Sequence, residues 1–127
     1  MAKPVRHPTE LELEILKVLW EAGPMRVRDV REALAPTREL AYTSVMTMMG
    51  IMTKKGYLKR TKDGNSYVYR AVAKRSATTR EMLRDLVDRV FEGSTSTAVL
   101  QLLETSDLDA DERAEIRKLI ERKERKS

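Results

Sequence analysis

The chain has 127 residues, enough for one domain with an appended segment, and its 25 Lys and Arg exceed its 20 Asp and Glu by five. It has no cysteine, which excludes a disulfide framework, a thiolate metal site and a cysteine nucleophile. Its apolar runs are much shorter than the roughly 20 residues that span a bilayer, and its N-terminus lacks the apolar segment of a signal peptide, so we expect a cytoplasmic protein without membrane insertion.

The first two predicted elements are helices. Thr9 stands three residues before Glu12, which is the spacing of a capping box and predicts a helix start. The apolar face of this helix is formed by Leu11, Ile15, Val18 and Leu19. The helix ends at Gly23 and the proline after it. A second helix is predicted over 27–35, because apolar residues recur there at helical spacing and Pro36 disfavours helix in the residue before it.

A third helix and a hairpin follow. The helix is predicted over 41–55, with Gly56 as its C-cap, because glycine adopts the left-handed conformation without steric cost. The hydrophobic period then changes from 3.6 to 2, and "YLKRTKDGNSYVYRAV" predicts two strands with Asp63, Gly64 and Asn65 at the tip. Three helices followed by a β-hairpin is the order of a winged helix-turn-helix. The predicted fold class is therefore mainly α with a small β-hairpin wing.

From about Ser76 the pattern is helical again and predicts three short amphipathic helices. We therefore expect a winged-helix DNA-binding domain over 1–75 and a helical dimerisation domain over 76–127. The apolar positions expected at a homodimer interface are Met82, Leu83, Leu86, Val87, Val90, Phe91, Val99, Leu103, Ile116, Leu119 and Ile120. Helix-turn-helix proteins usually bind two half-sites by two-fold symmetry, which favours a dimer. The alternative is that these helices only pack on the first domain.

The third helix has one apolar and one polar face on a 3.6-residue period. The residues predicted to face inward are Ala41, Val45, Met48, Met49 and Met52, and those predicted to face outward are Thr43, Ser44, Thr47, Gly50 and Lys54. Small hydroxyl side chains let a helix approach the major groove closely and bond to phosphates or base edges. Met46 lies towards the edge, where it can touch a thymine methyl group. Taken alone, the hydroxyl row would be explained better by a solvated surface.

Charge around this helix favours a nucleic-acid partner. Residues 1–75 carry 15 Lys and Arg against 8 Asp and Glu, whereas residues 76–127 carry 10 against 12. The excess of positive charge in the first part of the chain attracts a polyanion. The predicted DNA-binding residues are Thr43, Ser44, Met46, Thr47, Lys54, Arg26, Arg28, Arg38 and Lys62, the cations serving as phosphate contacts. The sequence therefore predicts double-stranded DNA as the partner, with no cofactor and no metal.

Three stretches, "TELELEILKVLWEAGPMRVRDVREAL", "LAYTSVMTMMGIMTKKGYLKR" and "DGNSYVYRA", resemble the penicillinase-repressor (BlaI/MecI/CopY) family of bacterial winged-helix repressors. The similarity continues through "LRDLVDRVFEGS" to the C-terminal helices, so it covers nearly the whole chain. It implies an N-terminal DNA-binding domain, a C-terminal dimerisation domain, and occlusion of a promoter by a dimer on a palindromic operator. It also implies that Thr43, Ser44 and Thr47 face that operator.

The chain also departs from the family pattern. Gly50 and Ile51 stand where many relatives have a polar residue followed by arginine, which removes an expected DNA contact. Without cysteine, the copper-sensing arm of one branch is excluded. In the antibiotic-responsive branch a membrane-bound sensor protease relieves repression by cleavage in the helix matching "TAVLQLLE", where Gln101 and Leu102 occupy the scissile position. The alternative for this pair is a place in an ordinary dimer core.

Other classes of function fit the residues less well. A winged-helix module that binds another protein would leave the basic first half unexplained. A nonspecific architectural DNA binder would show similar affinity for any duplex. An enzyme is disfavoured, because no carboxylate pair, histidine cluster or glycine-rich phosphate loop has a spacing that supports chemistry, and we expect His7 to be an ordinary surface residue.

Overall fold

A computed structural model describes residues 7–126. The elements are α1 (Glu10–Ala22), α2 (Val27–Leu34), α3 (Tyr42–Lys54), β1 (Leu58–Asp63), β2 (Ser66–Ala71), α4 (Arg75–Val90), α5 (Thr95–Thr105) and α6 (Ala110–Lys126). The strands form one antiparallel hairpin, so the predicted fold class is confirmed. The chain divides into two compact units, one ending at Arg84 and the other beginning at Asp85, inside α4.

The start of α1 has the predicted capping box. The hydroxyl of Thr9 accepts a hydrogen bond from the Glu12 N–H at 3.3 Å, and Glu12 Oε1 accepts one from the Thr9 N–H at 2.8 Å. These two bonds satisfy donors that the first turn of a helix leaves unpaired. The helix ends before Gly23, whose φ of 87° lies in the region that favours glycine, and whose N–H bonds to the Leu19 carbonyl.

One hydrophobic core joins the first three helices to the hairpin. Its buried members are Ile15, Leu16, Leu19, Val27, Val30, Leu34, Val45, Met49, Met52, Leu58 and Tyr69. Each fully buried large apolar side chain contributes about 1.5–3 kcal/mol. Trp20 closes one side of the core and donates from Nε1 to the Ala73 carbonyl at 2.8 Å. The burial of one face of α3 in this core is what turns its other face outward.

Two details of α3 differ from the sequence expectation. Ala41, predicted to face inward, is exposed, because the helix begins one residue later and Ala41 is its N-cap. Gly56 is not the C-cap, which is Lys55. Gly56 is the residue after the cap, with a φ of 88°, and this left-handed turn allows the Tyr57 N–H to bond to the Met52 carbonyl at 2.9 Å.

The hairpin is attached to the linker between α1 and α2. Its register runs from Leu58 opposite Ala71 to Asp63 opposite Ser66, which leaves Gly64 and Asn65 as a two-residue turn. Gly64 has a φ of 65°, as a tight hairpin turn requires at its first central position. Met25 pairs with Tyr69 on the other side of β2 through reciprocal backbone bonds of 2.9 and 2.8 Å. The wing is therefore fixed at its base from two directions.

The second unit contains the end of α4, then α5 and α6. Ser94 caps α5 by accepting from the Thr97 N–H at 3.2 Å. Asp109 caps α6: its carboxylate accepts from the Glu112 N–H at 2.8 Å, and its own N–H donates to Glu112 Oε1 at 3.1 Å. Ala98 is buried, whereas Leu100 on the same helix is 61% exposed. No helix within residues 7–126 combines the length and the apolar character needed to cross a membrane.

Candidate nucleic-acid interface

The outward face of α3 is formed by small hydroxyl side chains. Thr43, Ser44 and Thr47 are exposed, and the buried residues Val45, Met49 and Met52 lie on the opposite side of the helix. Met46 is 44% exposed at the edge of this face. Lys54 is exposed at the last turn, and Gly50 is half-buried. The helix thus presents a row of short polar groups that can approach a groove without steric obstruction.

Side-chain bonds to the backbone fix the turn between α2 and α3. Arg31 Nε donates to the Leu40 carbonyl at 2.8 Å, just before α3 begins. The Thr37 hydroxyl donates to the Leu34 carbonyl at 3.1 Å, at the end of α2. The Arg31 bond spans the turn and ties the last turn of α2 to the residues just before α3, whereas the Thr37 bond closes the end of α2. Arg28 is exposed in the first turn of α2.

Two of the predicted phosphate contacts are engaged in ion pairs within the protein. Arg38 Nε lies 2.6 Å from Glu14 Oε2, and its Nη2 lies 3.7 Å from Glu10 Oε1. Arg26 Nη2 lies 2.6 Å from Asp63 Oδ2, and its Nη1 donates to the Asp63 carbonyl at 3.4 Å. Each guanidinium group can contact a DNA phosphate only if it leaves its carboxylate partner or bonds to the carboxylate and the phosphate together.

The wing carries a cation in the middle of β1 that stacks on a tyrosine of β2. The Arg60 guanidinium lies 4.3 Å from the centre of the Tyr67 ring, a cation–π distance. A side-chain hydrogen bond with Tyr69 raises the pKa of Arg60 above its ordinary value. Arginine is charged at physiological pH even without such a shift. Lys62 is exposed one residue before Asp63. The wing therefore presents two exposed cations on β1, Arg60 in the middle of the strand and Lys62 near the tip.

A cavity of about 640 Å³, which we call the wing cleft, lies between the start of α2, the first turns of α3 and the wing. Its lining residues are Arg26, Val27, Arg28, Tyr42, Met46, Asn65, Ser66, Tyr67 and Tyr69. Two guanidinium groups and several hydroxyl or amide groups suit the cleft to an anionic strand. The sequence pattern did not predict Tyr42, Asn65 or Tyr67 as site residues. They line the cleft only because the wing folds beside α3.

A buried carboxylate holds the end of α3. Glu12 is 1% exposed, and its Oε2 lies 3.0 Å from Lys55 Nζ. Burial raises the pKa of Glu12, but the hydrogen bonds from the Thr9 backbone and from Lys55 outweigh burial and leave the pKa below its ordinary value. Burial also raises the pKa of the neighbouring Tyr57. Lys55 is thus engaged within the protein, in contrast to Lys54.

The residues predicted for a dimer interface are largely exposed. Those exposed are Leu83, Leu86, Val90, Val99, Leu103, Leu119 and Ile120, and those half-buried are Met82, Val87, Phe91 and Ile116. Met82 and Leu83 belong to the first compact unit and the others to the second. Gln101 and Leu102 are exposed in the interior of α5. His7 is half-buried, and its Nδ1 lies 3.0 Å from the Pro8 carbonyl oxygen.

Comparison with known proteins places the chain among bacterial repressors. The family described as penicillinase repressor matches residues 8–122. The penicillinase repressor of Bacillus licheniformis is 27% identical over 119 residues, which are 94% of this chain and 93% of that protein. The transcriptional regulator BlaI of Mycobacterium tuberculosis is 30% identical over 113 residues, covering 87% and 80%. The solution structure of the DNA binding domain of the repressor BlaI matches with a TM-score of 0.51 and 28% identity, over 59% of this chain and 92% of that one.

Proposed function

The chain belongs to the penicillinase repressor family and is a DNA-binding transcriptional repressor, and we propose that it acts as a homodimer on a pseudo-palindromic operator. The observation that carries this proposal is the exposed hydroxyl row of α3, which lies opposite the buried methionines of the same helix. Such a face suits the major groove, where threonine and serine can bond to bases or phosphates. We expect the protein in the cytoplasm, where bacterial operator DNA is accessible to it.

In this proposal the predicted site residues have two roles. Thr43, Ser44, Thr47 and Met46 contact base edges, because they form the exposed side of α3. Lys54, Arg28 and Lys62 contact phosphates on either side of the groove, because they are exposed at the ends of α3, at the start of α2 and on the wing. Arg26 and Arg38 are further phosphate contacts. In each case the phosphate must first displace the carboxylate that pairs with the arginine, Asp63 for Arg26 and Glu14 for Arg38.

The proposed dimer forms through the helices of residues 76–127. Exposed leucine, isoleucine and valine side chains on α4, α5 and α6 leave apolar surface in water, and its burial is worth about 25 cal/mol per Å². We expect a second copy of the chain to cover this surface. A two-fold operator needs two recognition helices, spaced by one DNA helical turn or a multiple of it, and each chain supplies one. Because a dimer engages both half-sites at once, association of the two chains raises the occupancy of the operator without any further DNA contact.

Relief of repression by proteolysis is part of the same proposal. A membrane-bound sensor protease would cut between Gln101 and Leu102 in α5, which lies among the proposed dimer helices. Cleavage there would divide α5 and remove part of the proposed interface. If the pair belongs only to the dimer core, a Leu102→Glu variant would weaken association, and no protease-dependent product ending at Gln101 would appear by mass spectrometry in cells that carry the sensor.

The test is a selection of randomised duplexes by the purified protein at physiological salt, followed by affinities across a salt series. A pseudo-palindrome that outcompetes random DNA by ~10³ or more supports the operator proposal. Binding that is weak, steeply salt-dependent and enriches no sequence would instead indicate an architectural DNA binder. Absence of binding would indicate a winged-helix module for another protein.

A further inference from the structure

Asp63 has an unusual place in a basic segment. It is the only acidic residue from Leu58 to Ala71, a stretch that contains four Lys and Arg. The hairpin brings it to the tip of the wing, at the last pair before the turn. There its carboxylate lies 2.6 Å from Arg26, a cation that lines the wing cleft. The single acid of the wing thus neutralises a cation that faces the cleft.

The pair is accessible enough to be exchanged. The side chain of Arg26 is 35% exposed and that of Asp63 is 66% exposed, so water and dissolved anions reach both partners. Exposed ion pairs of this kind contribute only about 0–1 kcal/mol to stability. A phosphate accepts bidentate, charge-assisted hydrogen bonds from guanidinium as a carboxylate does, so it can replace Asp63 without leaving Arg26 unpaired.

The position of the pair also fits an anionic strand. Arg26 and Arg28 line one side of the wing cleft, Tyr42 and Met46 line the α3 side, and Tyr67 lines the wing side. A strand whose bases meet α3 would run its phosphates along this cleft towards Arg26. Asp63 stands beside the same guanidinium and would repel each phosphate that approaches.

We propose that Asp63 is an internal substitute for a DNA phosphate, which holds Arg26 in the free protein and is displaced by the DNA backbone on binding. The inference rests on the proposed DNA-binding function, but it needs only phosphates and no particular sequence. In the free protein the pair keeps the guanidinium in place. In the complex Arg26 contacts a phosphate and Asp63 turns to solvent. Asp63 therefore lowers the affinity of the protein for every duplex.

The decisive variant is Asp63→Asn, tested in the full-length protein. Asp63 is the last paired residue before the turn, and the amide has nearly the shape of the carboxylate, so the wing is expected to fold. Affinity for a duplex should rise about three- to ten-fold at ~0.1 M salt, because one repulsion is removed and Arg26 is released. The slope of log affinity against log salt should stay close to that of the unchanged protein, because Arg26 contacts one phosphate in both complexes.

Two further variants show whether the gain passes through Arg26. Asp107→Asn makes the same change in net charge at an exposed loop position outside the cleft, and its affinity for the duplex should stay within about two-fold of that of the unchanged protein. Arg26→Gln should lower affinity and reduce the slope by about one. In an Arg26→Gln background, Asp63→Asn should give less than a two-fold gain, because the cation that it releases is missing.

Three results would overturn the proposal. If Asp63 only stabilises the wing, Asp63→Asn weakens binding, so a measured decrease or an unchanged affinity would establish that structural account instead. A full gain in the Arg26→Gln background would assign the effect to general electrostatics. If circular dichroism shows that the asparagine variant does not fold, Asp63→Ser provides a second test. A random-sequence duplex suffices as the probe. Failure to find an operator would therefore refute sequence specificity, while the displacement of Asp63 from Arg26 by a phosphate could still be measured.

Discussion

The carboxylate of Glu12, at the start of α1, lies 3.0 Å from the ammonium group of Lys55, directly after the end of α3. Glu12 is 1% exposed and also accepts a hydrogen bond from the Thr9 backbone, so its charge is compensated from two sides. The pair joins positions 43 residues apart in the chain. Because it acts at the end of the helix that carries the hydroxyl row, it helps to fix the position of that row.

Loss of the cation from this pair should destabilise the first unit. Lys55→Met leaves the buried Glu12 carboxylate with only its backbone partner, and we expect the free energy of unfolding to fall by about 1–2 kcal/mol, below the value for a fully buried pair because Lys55 is half exposed to water. Urea unfolding followed by circular dichroism measures the change. Lys54→Met, at the preceding exposed position, is the control and should change stability by less than about 0.5 kcal/mol. Equal effects of the two variants would contradict the role given to the pair.

The same carboxylate should make stability depend on pH in acid. The pKa of Glu12 in the folded protein lies below its ordinary value of 4.5, so its stabilising contribution is complete above the unfolded pKa and is lost as pH falls through the folded pKa. Glu12→Gln can still accept the Thr9 bond but has no charge. We expect it to be less stable than the parent protein at neutral pH, by a margin that shrinks below pH 4.5. Urea unfolding at neutral pH and in acid tests this, and a margin that is independent of pH would refute it.

Gly50 in the interior of α3 should be replaceable with a gain in stability. A Cβ added there meets no heavy atom within 4 Å, and the residue does not have a positive φ. Gly50→Ala should therefore raise the free energy of unfolding by about 0.5–1 kcal/mol, the difference in helix propensity. Gly64→Ala is the matched contrast, because its φ of 65° strains any other residue and should lower stability. Thermal unfolding compares them, and a destabilised Gly50→Ala protein would show that α3 requires a glycine for another reason.

The hydroxyl row should contribute to the recognition of a specific operator. Thr43→Ala and Thr47→Ala are each expected to weaken specific binding by about 1–3 kcal/mol, while affinity for random DNA stays nearly unchanged, because base contacts rather than phosphate contacts are removed. Electrophoretic mobility shift titrations give both affinities. Thr95→Ala, an exposed threonine at the start of α5, is the control. Unchanged operator affinity in both α3 variants would remove these residues from the site.

Association of two chains should depend on the apolar face of α4. Leu86 is 47% exposed, and a charge there would have to be buried in the proposed interface, so Leu86→Asp should lower dimerisation and operator binding together. Sedimentation velocity and mobility shifts measure the two effects. Asp88→Ser, on the opposite side of the helix by its period, should change neither. A Leu86→Asp protein that stays dimeric would exclude this face from the interface.

The sequence predicts best where the determining residues lie close together. The capping box of Thr9 and Glu12 spans three residues, and the turn at Gly64 is specified by the residues that form it, so both are recognisable without a structure. The order of helices and hairpin follows from the change in hydrophobic period. The start of α3 was missed by one residue because the N-cap Ala41 makes no side-chain bond that marks it.

The ion pairs of the site were not predictable in this way. Arg26 and Asp63 are 37 residues apart, and no local pattern connects them. Their meeting depends on the register of the wing and on the attachment of β2 to Met25. A sequence count therefore treats Arg26 and Arg38 as equivalent to Arg28, whereas the fold gives the first two carboxylate partners. The wing cleft was missed for the same reason.

The attachment of Met25 to β2 has a consequence for how the protein behaves at high concentration. Within residues 7–126, β2 is paired with β1 on one side and bridged at Tyr69 by Met25 on the other, whereas the outer edge of β1 has no strand or bridge beside it. An open strand edge invites pairing with another chain, and charged side chains, lysine above all, oppose such pairing. β1 carries Lys59, Arg60 and Lys62 along this edge. The cations that suit the wing to a polyanion thus also protect it from amyloid-like aggregation.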